Sequence, residues 1–366
     1  MKGELEMAEN GNRLLAFVGS YADAAGNGVY VYEVNEKTGG LKLLDQVSGL
    51  QNPTFLNLDA DRRILYAIAE KASEQGQRMG AAVAFAINPA EGTLSELNRA
   101  VTTDTQTCHI QRDSQSRYLV VTSYSGGKVG LIGLQENGLV GELLDVKQHE
   151  GKSVHERQDQ PHPHSAFFSP DEQFVLIPDL GLDRVRVYRL NRADSRLDFH
   201  ADAALHPGAG PRHLAFHPNG KFAYVINELD STISSFRYDA EAGTLSHVQT
   251  VSTVPADFEG ENWCAEIQVS ADGKFVYGSN RGHDSIVVLA ANADSGELSV
   301  VQHISTEGQH PRHFSLSPDG SLLIAANRDT DNIAVFRVDR ETGTLSFTGQ
   351  TVKASKPVCV RMAYFA

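Results

Sequence analysis

Two short markers each recur seven times along the 366 residues, and no other feature limits the fold as strongly. The first is an extended segment that opens on a polar or small residue. Its copies are Asn52-Pro53-Thr54-Phe55, Cys108-His109-Ile110, Pro163-His164-Ser165, Pro211-Arg212-His213, Ala265-Glu266-Ile267, Pro311-Arg312-His313 and Pro357-Val358-Cys359. The second is a turn that ends in leucine. It appears as Thr38-Gly39-Gly40-Leu41, Glu91-Gly92-Thr93-Leu94, Asn137-Gly138-Leu139, Asp194-Ser195-Arg196-Leu197, Ala242-Gly243-Thr244-Leu245, Ser295-Gly296-Glu297-Leu298 and Thr342-Gly343-Thr344-Leu345. The first marker falls at 53, 109, 163, 211, 265, 311 and 357, so the period is 46 to 56 residues. Each unit holds four strand-like runs; in the central one they are 213–216, 222–226, 232–238 and 245–251. No stretch sustains a 3.6-residue apolar period, so helices are not expected. Four strands per unit of this length is the signature of a propeller blade. The chain is therefore expected to be all-β, a seven-bladed β-propeller.

The two ends agree with that count. Runs 14–21, 28–34 and 41–47 match the second, third and fourth strands of a unit whose first strand is missing. The run 357–365 at the C-terminus supplies it. One blade is thus built from both ends, which closes the ring and removes exposed sheet edges. The expected organisation is a polar N-terminal tail, 1–12, followed by a single propeller domain, 13–366, although the length alone would allow two domains. The tail lacks the apolar centre of a signal peptide. No apolar run approaches the ~20 residues of a membrane span. Three cysteines cannot form a disulfide framework, and a reducing cytoplasm is the expected location. A net charge of −14 argues against nucleic acid as a partner, while a local arginine cluster would still attract a small anion.

The stretch 210–229 shows how a unit carries chemistry. Its two apolar runs flank His217-Pro218-Asn219-Gly220, which has the composition of a tight turn. Residue 220 lies midway between Arg212 and Glu228, so folding the hairpin brings the two together at its open mouth. In a propeller the innermost strand begins, and the second strand ends, on one face of the ring. All such mouth pairs should therefore face one end of the central channel. The same construction pairs Asn52 with Glu70, His109 with Tyr124, His164 with Asp179, Glu266 with Asn280 and Arg281, and Arg312 with Asn327 and Arg328. A polar ring on an apolar scaffold has the form of a ligand site. Mutual ion pairing that merely plugs the channel would use the same residues.

These residues carry a resemblance. Gln160-Pro161-His162-Pro163-His164-Ser165, Asp179-Leu180-Gly181, Gly208-Ala209-Gly210-Pro211-Arg212-His213, Asn227-Glu228-Leu229 and Ser279-Asn280-Arg281-Gly282 together resemble the seven-bladed propeller lactonase family. That family includes 6-phosphogluconolactonases and the fungal carboxymuconate-cyclising enzyme. The likeness runs from Phe17-Val18-Gly19-Ser20-Tyr21 to Asp339-Arg340-Glu341-Thr342-Gly343. It implies a site on one face of the ring, with no required cofactor. Separately, no metal-ligand spacing appears in the sequence, and no metal is expected. Matched motif by motif, the site residues of the cyclising branch fall on His164, Arg212, Glu228 and Arg281.

The chemistry of these four is coherent. A lactonase must activate water and stabilise the oxyanion that forms at the ester carbonyl. His164 is favoured as the general base, oriented by Glu228, although Glu228 held by Arg212 could also serve. Arg212 and Arg281 are forked donors suited to an oxyanion or a phosphate. Arg312, Arg328 and Lys128 are candidates for holding a substrate phosphate, with Lys128 equally readable as a solvated turn residue. Glu70, His109, Tyr124, Asp179, Glu266, Asn280 and Asn327 complete the expected substrate-binding ring. His213 and His313 are expected to point away from the mouth and pack between blades, because side chains alternate along a strand. His217 reads as structural, at the far face. Cys108, Cys264 and Cys359 read as small buried residues. Loops 150–160, with His155 and Arg157, and 255–262, before Trp263, border the face.

The leading reading is hydrolysis of a sugar lactone, 6-phospho-D-glucono-1,5-lactone in the pentose phosphate pathway, by a carboxylic-ester hydrolase. The expected partner is this small anionic lactone, and the expected state a monomer or weak homo-oligomer. Another lactonase or a muconate-type cycloisomerase would use the same residues, since fold and motif do not fix a substrate. A non-catalytic propeller that binds partners is the remaining class.

Overall fold

The structure, a computed structural model, describes residues 12–366, so most of the expected N-terminal tail lies outside the described residues. Seven four-stranded antiparallel sheets form, each running in hairpin order from its innermost to its outermost strand. Among the described residues the only helical element is one 3-10 turn, Glu156–Gln158. The ring closes as the repeat demands. Strand Pro357–Phe365 lies innermost against Arg13–Ser20, with Arg13 opposite Phe365 and Gly19 opposite Cys359. Second strands are buried on both faces, because each blade is covered on two sides. Phe222, Tyr224 and Ile226 point to one face of their strand, Ala223 and Val225 to the other, and all are fully buried. Each large side chain so buried stabilises the fold by roughly 1.5–3 kcal/mol. The leucine-ending turn also has a physical reason. Gly243 sits at φ +65 with the Phe174 ring of the preceding blade 2.3 Å from where a Cβ would stand. Only glycine meets both conditions there.

The innermost strands depart from regular alternation at the site. In strand Pro211–Phe216, Pro211 pairs with Asn227 and His213 with Ile226, so two steps oppose one. Strand Pro311–Leu316 repeats this, with Pro311 opposite Asn327 and His313 opposite Ala326. In Trp263–Val269, Cys264 pairs with Asn280 and Ile267 with Gly278. These are β-bulges, each adding one residue to the inner strand. Arg212 and His213 consequently both line the central cavity, where strict alternation would have turned His213 away. The expectation that His213 and His313 pack between blades is corrected: both approach the Glu266 carboxylate within the channel.

Candidate active site

Glu228 stands at the centre of one mouth of the channel, directly after strand Phe222–Asn227. Its backbone N–H donates to the Gly210 carbonyl at 2.7 Å. Gly210, at φ +64, lies so close to Leu229 that an added Cβ would be 2.4 Å from that side chain. Glycine at 210 therefore lets the two chains meet and sets the distance from Glu228 to Arg212. One Glu228 oxygen, Oε2, accepts from Arg212 Nε at 3.0 Å and lies 2.7 Å from Arg281 Nη2. The other, Oε1, lies 3.4 Å from Arg157 Nη2. His164 Nε2 is 3.9 Å from Oε2, and His164 Nδ1 has no hydrogen-bond partner. Arg212, Glu228, Arg281 and His164 are all buried.

Backbone carbonyls fix the two buried arginines. Arg212 Nη1 donates to Ala265 O at 2.7 Å; Arg281 donates from Nε to Trp263 O at 3.1 Å and from Nη2 to Cys264 O at 2.6 Å. Burial by itself would raise the Glu228 pKa, but Arg281, Arg212, Arg312 and Arg157 outweigh it and hold the group at about 2. Burial, then Arg212, His213, Arg312 and Arg281, keep the His164 pKa well below 6.5, so its ring is neutral at neutral pH. Burial, followed by Arg281 and Arg312, presses the Arg212 guanidinium down to about 9 against the pull of Glu228 and Glu266, and it stays charged at neutral pH.

These groups line a cavity of about 340 Å³. Five arginines face it, Arg157, Arg212, Arg281, Arg312 and Arg328, against two carboxylates, Glu70 and Glu228. A local excess of three cations thus sits in a chain of net charge −14. Such a cleft focuses positive potential on an anion. Arg312 lies over the Tyr21 ring at 5.9 Å and makes no hydrogen bond or ion pair among the described residues. Arg328 donates to Asp329 and, at 3.3 Å, to His310 Nδ1. Tyr124 stacks on His162 at 4.1 Å and meets His164 edge-on at 5.5 Å. Glu70 accepts from Asn52 Nδ2 at 2.8 Å, the pairing read from the hairpin. Among the described residues, no group of three or more His, Cys, Asp or Glu could hold a metal ion.

Six expected ring residues lie outside this cavity. His109 faces the channel interior, its ring 4.2 Å from Phe55, and its strand partner is Thr122 rather than Tyr124. Asp179 braces the backbone that carries His164: it accepts from the N–H groups of His162 and Gly181 and from His149 Nδ1 at 2.6 Å. Glu266 turns to His213 and His313, leaving Arg281 to Glu228. Asn280 is absorbed by Thr253, Asn262 and Ser285, and Asn327 by the Thr306 carbonyl. Lys128 is held by Asp104 at 2.6 Å. Arg157 and Trp263 were not in the expected ring, yet both line the cavity, with the guanidinium 5.1 Å from the indole centre. They come from the two loop regions that border the face. Cys108, read as merely buried, also reaches the cavity wall.

A seven-bladed ring with this charged mouth defines a class of protein. The family model described as lactonase, seven-bladed β-propeller, matches residues 15–362, and the chain belongs to that family. Among its relatives is a 6-phosphogluconolactonase of Bacillus subtilis, 37% identical over 352 residues, which cover 96% of this chain and 99% of the relative. The structure titled periplasmic gluconolactonase of Pseudomonas aeruginosa superposes with a TM-score of 0.89 at 32% identity, covering 96% of this chain and 98% of that one. A putative 6-phosphogluconolactonase of Bacteroides fragilis superposes at 0.88 with 31% identity, covering 98% of this chain and all of that one.

Proposed function

We propose that this chain hydrolyses 6-phospho-D-glucono-1,5-lactone to 6-phosphogluconate at the Glu228 cavity. The observation that carries the reading is Arg312, without a hydrogen bond or ion pair among the described residues, beside a Glu228–Arg212–Arg281 cluster in a cavity with three more cations than anions. One anionic group of the substrate can take Arg312 and Arg328 while the developing oxyanion takes the buried pair. Arg212 Nη2 and Arg281 Nη1 have no protein acceptor among the described residues and are the donors left for that oxyanion. A water oxygen attacks C1, and its proton passes to His164 Nε2, the ring nitrogen open to the cavity, since Nδ1 is enclosed. Glu228, 3.9 Å from Nε2, stabilises the imidazolium that results. Collapse of the tetrahedral species breaks the C1–O5 bond, and O5 takes the proton from His164. Glu228 itself, held at about 2, is too weak a base to serve at neutral pH. Its role is to orient the two arginines and His164. The proposed compartment is the cytoplasm, on the strength of three free cysteines, and cell fractionation checks it.

The test is hydrolysis of 6-phosphogluconolactone generated in situ, above its spontaneous rate. Rapid turnover is expected in the wild type, with the acid limb of kcat/KM below pH 6.5 because His164 is held neutral. Removing an oxyanion donor costs about 2.7–4 kcal/mol, so Arg212→Ala should lose a hundredfold or more in kcat. His164→Ala should lose a comparable factor. A folded wild type without turnover would overturn the substrate, and unchanged kinetics in either variant would remove that residue from the mechanism.

A further inference from the structure

The channel does not run open through the ring. On the opposite face lies a second opening of about 770 Å³, and Phe55 and His213 line both it and the catalytic cavity. The His213 ring is wedged in this partition by Phe55 at 5.8 Å, His109 at 5.5 Å, His164 at 5.4 Å and Phe167 at 6.1 Å. It is 2% exposed, and both of its nitrogens are engaged. Arg212 Nη1 lies 3.2 Å from His213 Nε2, and His213 Nδ1 lies 3.0 Å from Glu266 Oε2. A guanidinium can only donate, so Nε2 must present its lone pair. The ring proton is then on Nδ1, where the Glu266 carboxylate accepts it. His313 Nε2 is also 3.0 Å from that oxygen, though outside hydrogen-bond geometry. The distal carboxylate therefore selects the tautomer that meets Arg212.

We propose that His213, with its tautomer set by Glu266, is a positioning residue that aims Arg212 at the lactone carbonyl. The inference rests on the role given to Arg212 above. Three acceptors hold that guanidinium: Glu228 at Nε, and Ala265 O and His213 at Nη1. His213 is the only one of them on Arg212's own strand, and the bulge brings it to the same side. Burial, with Arg212, Arg361 and Arg312 behind it, keeps His213 from protonating, as an acceptor for an arginine must be. The sequence marker Pro-Arg-His thus acquires a reason for its histidine.

The experiment compares His213→Asn with His213→Gln in the lactonase assay, alongside Arg212→Ala. Asparagine places its amide where Nδ1 was, keeping Glu266 and losing Arg212. Glutamine reaches the Nε2 position, where its oxygen accepts from Arg212. A hydrogen bond to a charged group governs roughly a 10- to 100-fold effect, so His213→Asn should lower kcat at least tenfold. KM should stay within about threefold, because the phosphate contacts are untouched, and glutamine should recover most of kcat. A merely structural histidine would instead lower the melting temperature of both variants without separating their kcat values. Wild-type kcat in His213→Asn, with Arg212→Ala inactive, overturns this inference and leaves the site reading standing. Wild-type kcat in Arg212→Ala overturns both. Should His213→Asn fail to fold, Glu266→Leu removes the tautomer selection from the far end. The same fall in kcat at steady KM is expected, and wild-type kcat overturns the inference. If no variant or wild type turns over, 6-phosphogluconate binding decides. It is followed by fluorescence of Trp263, the only tryptophan and a wall of the cavity. The product carboxylate should bind at least tenfold more weakly to the Asn variant than to the Gln variant, and equal affinities overturn the proposal.

Discussion

Glu228→Gln isolates the electrostatic logic of the site. The substitution keeps size and shape but removes the negative charge from among Arg212, Arg281 and Arg157, whose nitrogens lie 3.0, 2.7 and 3.4 Å from its oxygens. Arg212 and Arg281 are almost fully buried, so water cannot replace the lost carboxylate around them. Breaking a buried ion pair from one side costs about 3–5 kcal/mol. The depressed pKa of Glu228 expresses the same interaction. Its fall from 4.5 to about 2 corresponds to about 3 kcal/mol of stability. Because the folded-state pKa is depressed, that stability is fully present above pH 4.5 and is lost as pH falls toward 2. At ~2.1 cal/mol/K per residue, the unfolding entropy of a chain this size is about 0.8 kcal/mol/K, so the melting temperature should drop by about 4–6 °C. An anion can take the vacated place. Phosphate or 6-phosphogluconate at ~100 times its dissociation constant should restore about 2.7 kcal/mol, or about 3–4 °C, and the variant should respond more than the wild type. Thermal melts at pH 7 with and without ligand, and a series from pH 5 to 2, measure all three quantities. A melting temperature within about 1 °C of wild type, with the same response to anions and to acid, would refute the view that Glu228 is the counter-charge of this cluster.

Arg312→Ala should raise KM for the phosphorylated lactone about 10- to 100-fold, the range for a lost charge-assisted contact, while scarcely altering KM for glucono-1,5-lactone. Equal effects on both lactones would move the phosphate away from Arg312. Deleting 357–366 removes the innermost strand of the first blade and leaves Arg13–Ser20 as an exposed edge, so insoluble or unfolded protein is expected from a solubility assay. A soluble, active truncation would contradict closure of the ring by that strand.

Reading the sequence located the two parts of the site that depend on hairpin folding alone. Arg212 meets Glu228, and Asn52 meets Glu70, because a tight turn forces residues equally distant from it together. Family resemblance supplied His164 and Arg281 for the same cluster. The rule faltered at His109 and Glu266, whose side chains enter the channel interior, and at Asp179, Asn280 and Asn327, whose polar groups are consumed by neighbouring backbone and loops. Arg157 escaped it altogether, since a 3-10 turn in a connecting loop, and no hairpin, carries it to Glu228.

The sequence by itself determined the number of blades, their four-strand make-up and the closure of the ring. Those follow from a repeat in turn chemistry and apolar spacing, which act between residues close in the chain. Tertiary structure alone decided which polar side chains share a cavity. Single-residue bulges in the innermost strands reset the alternation at Arg212 and His213, Arg312 and His313, and before Ile267. A bulge leaves no mark in an apolar pattern, yet it turns the next side chain from the blade interface into the channel. Charges from four blades then meet at one axis, which no local rule of spacing can place.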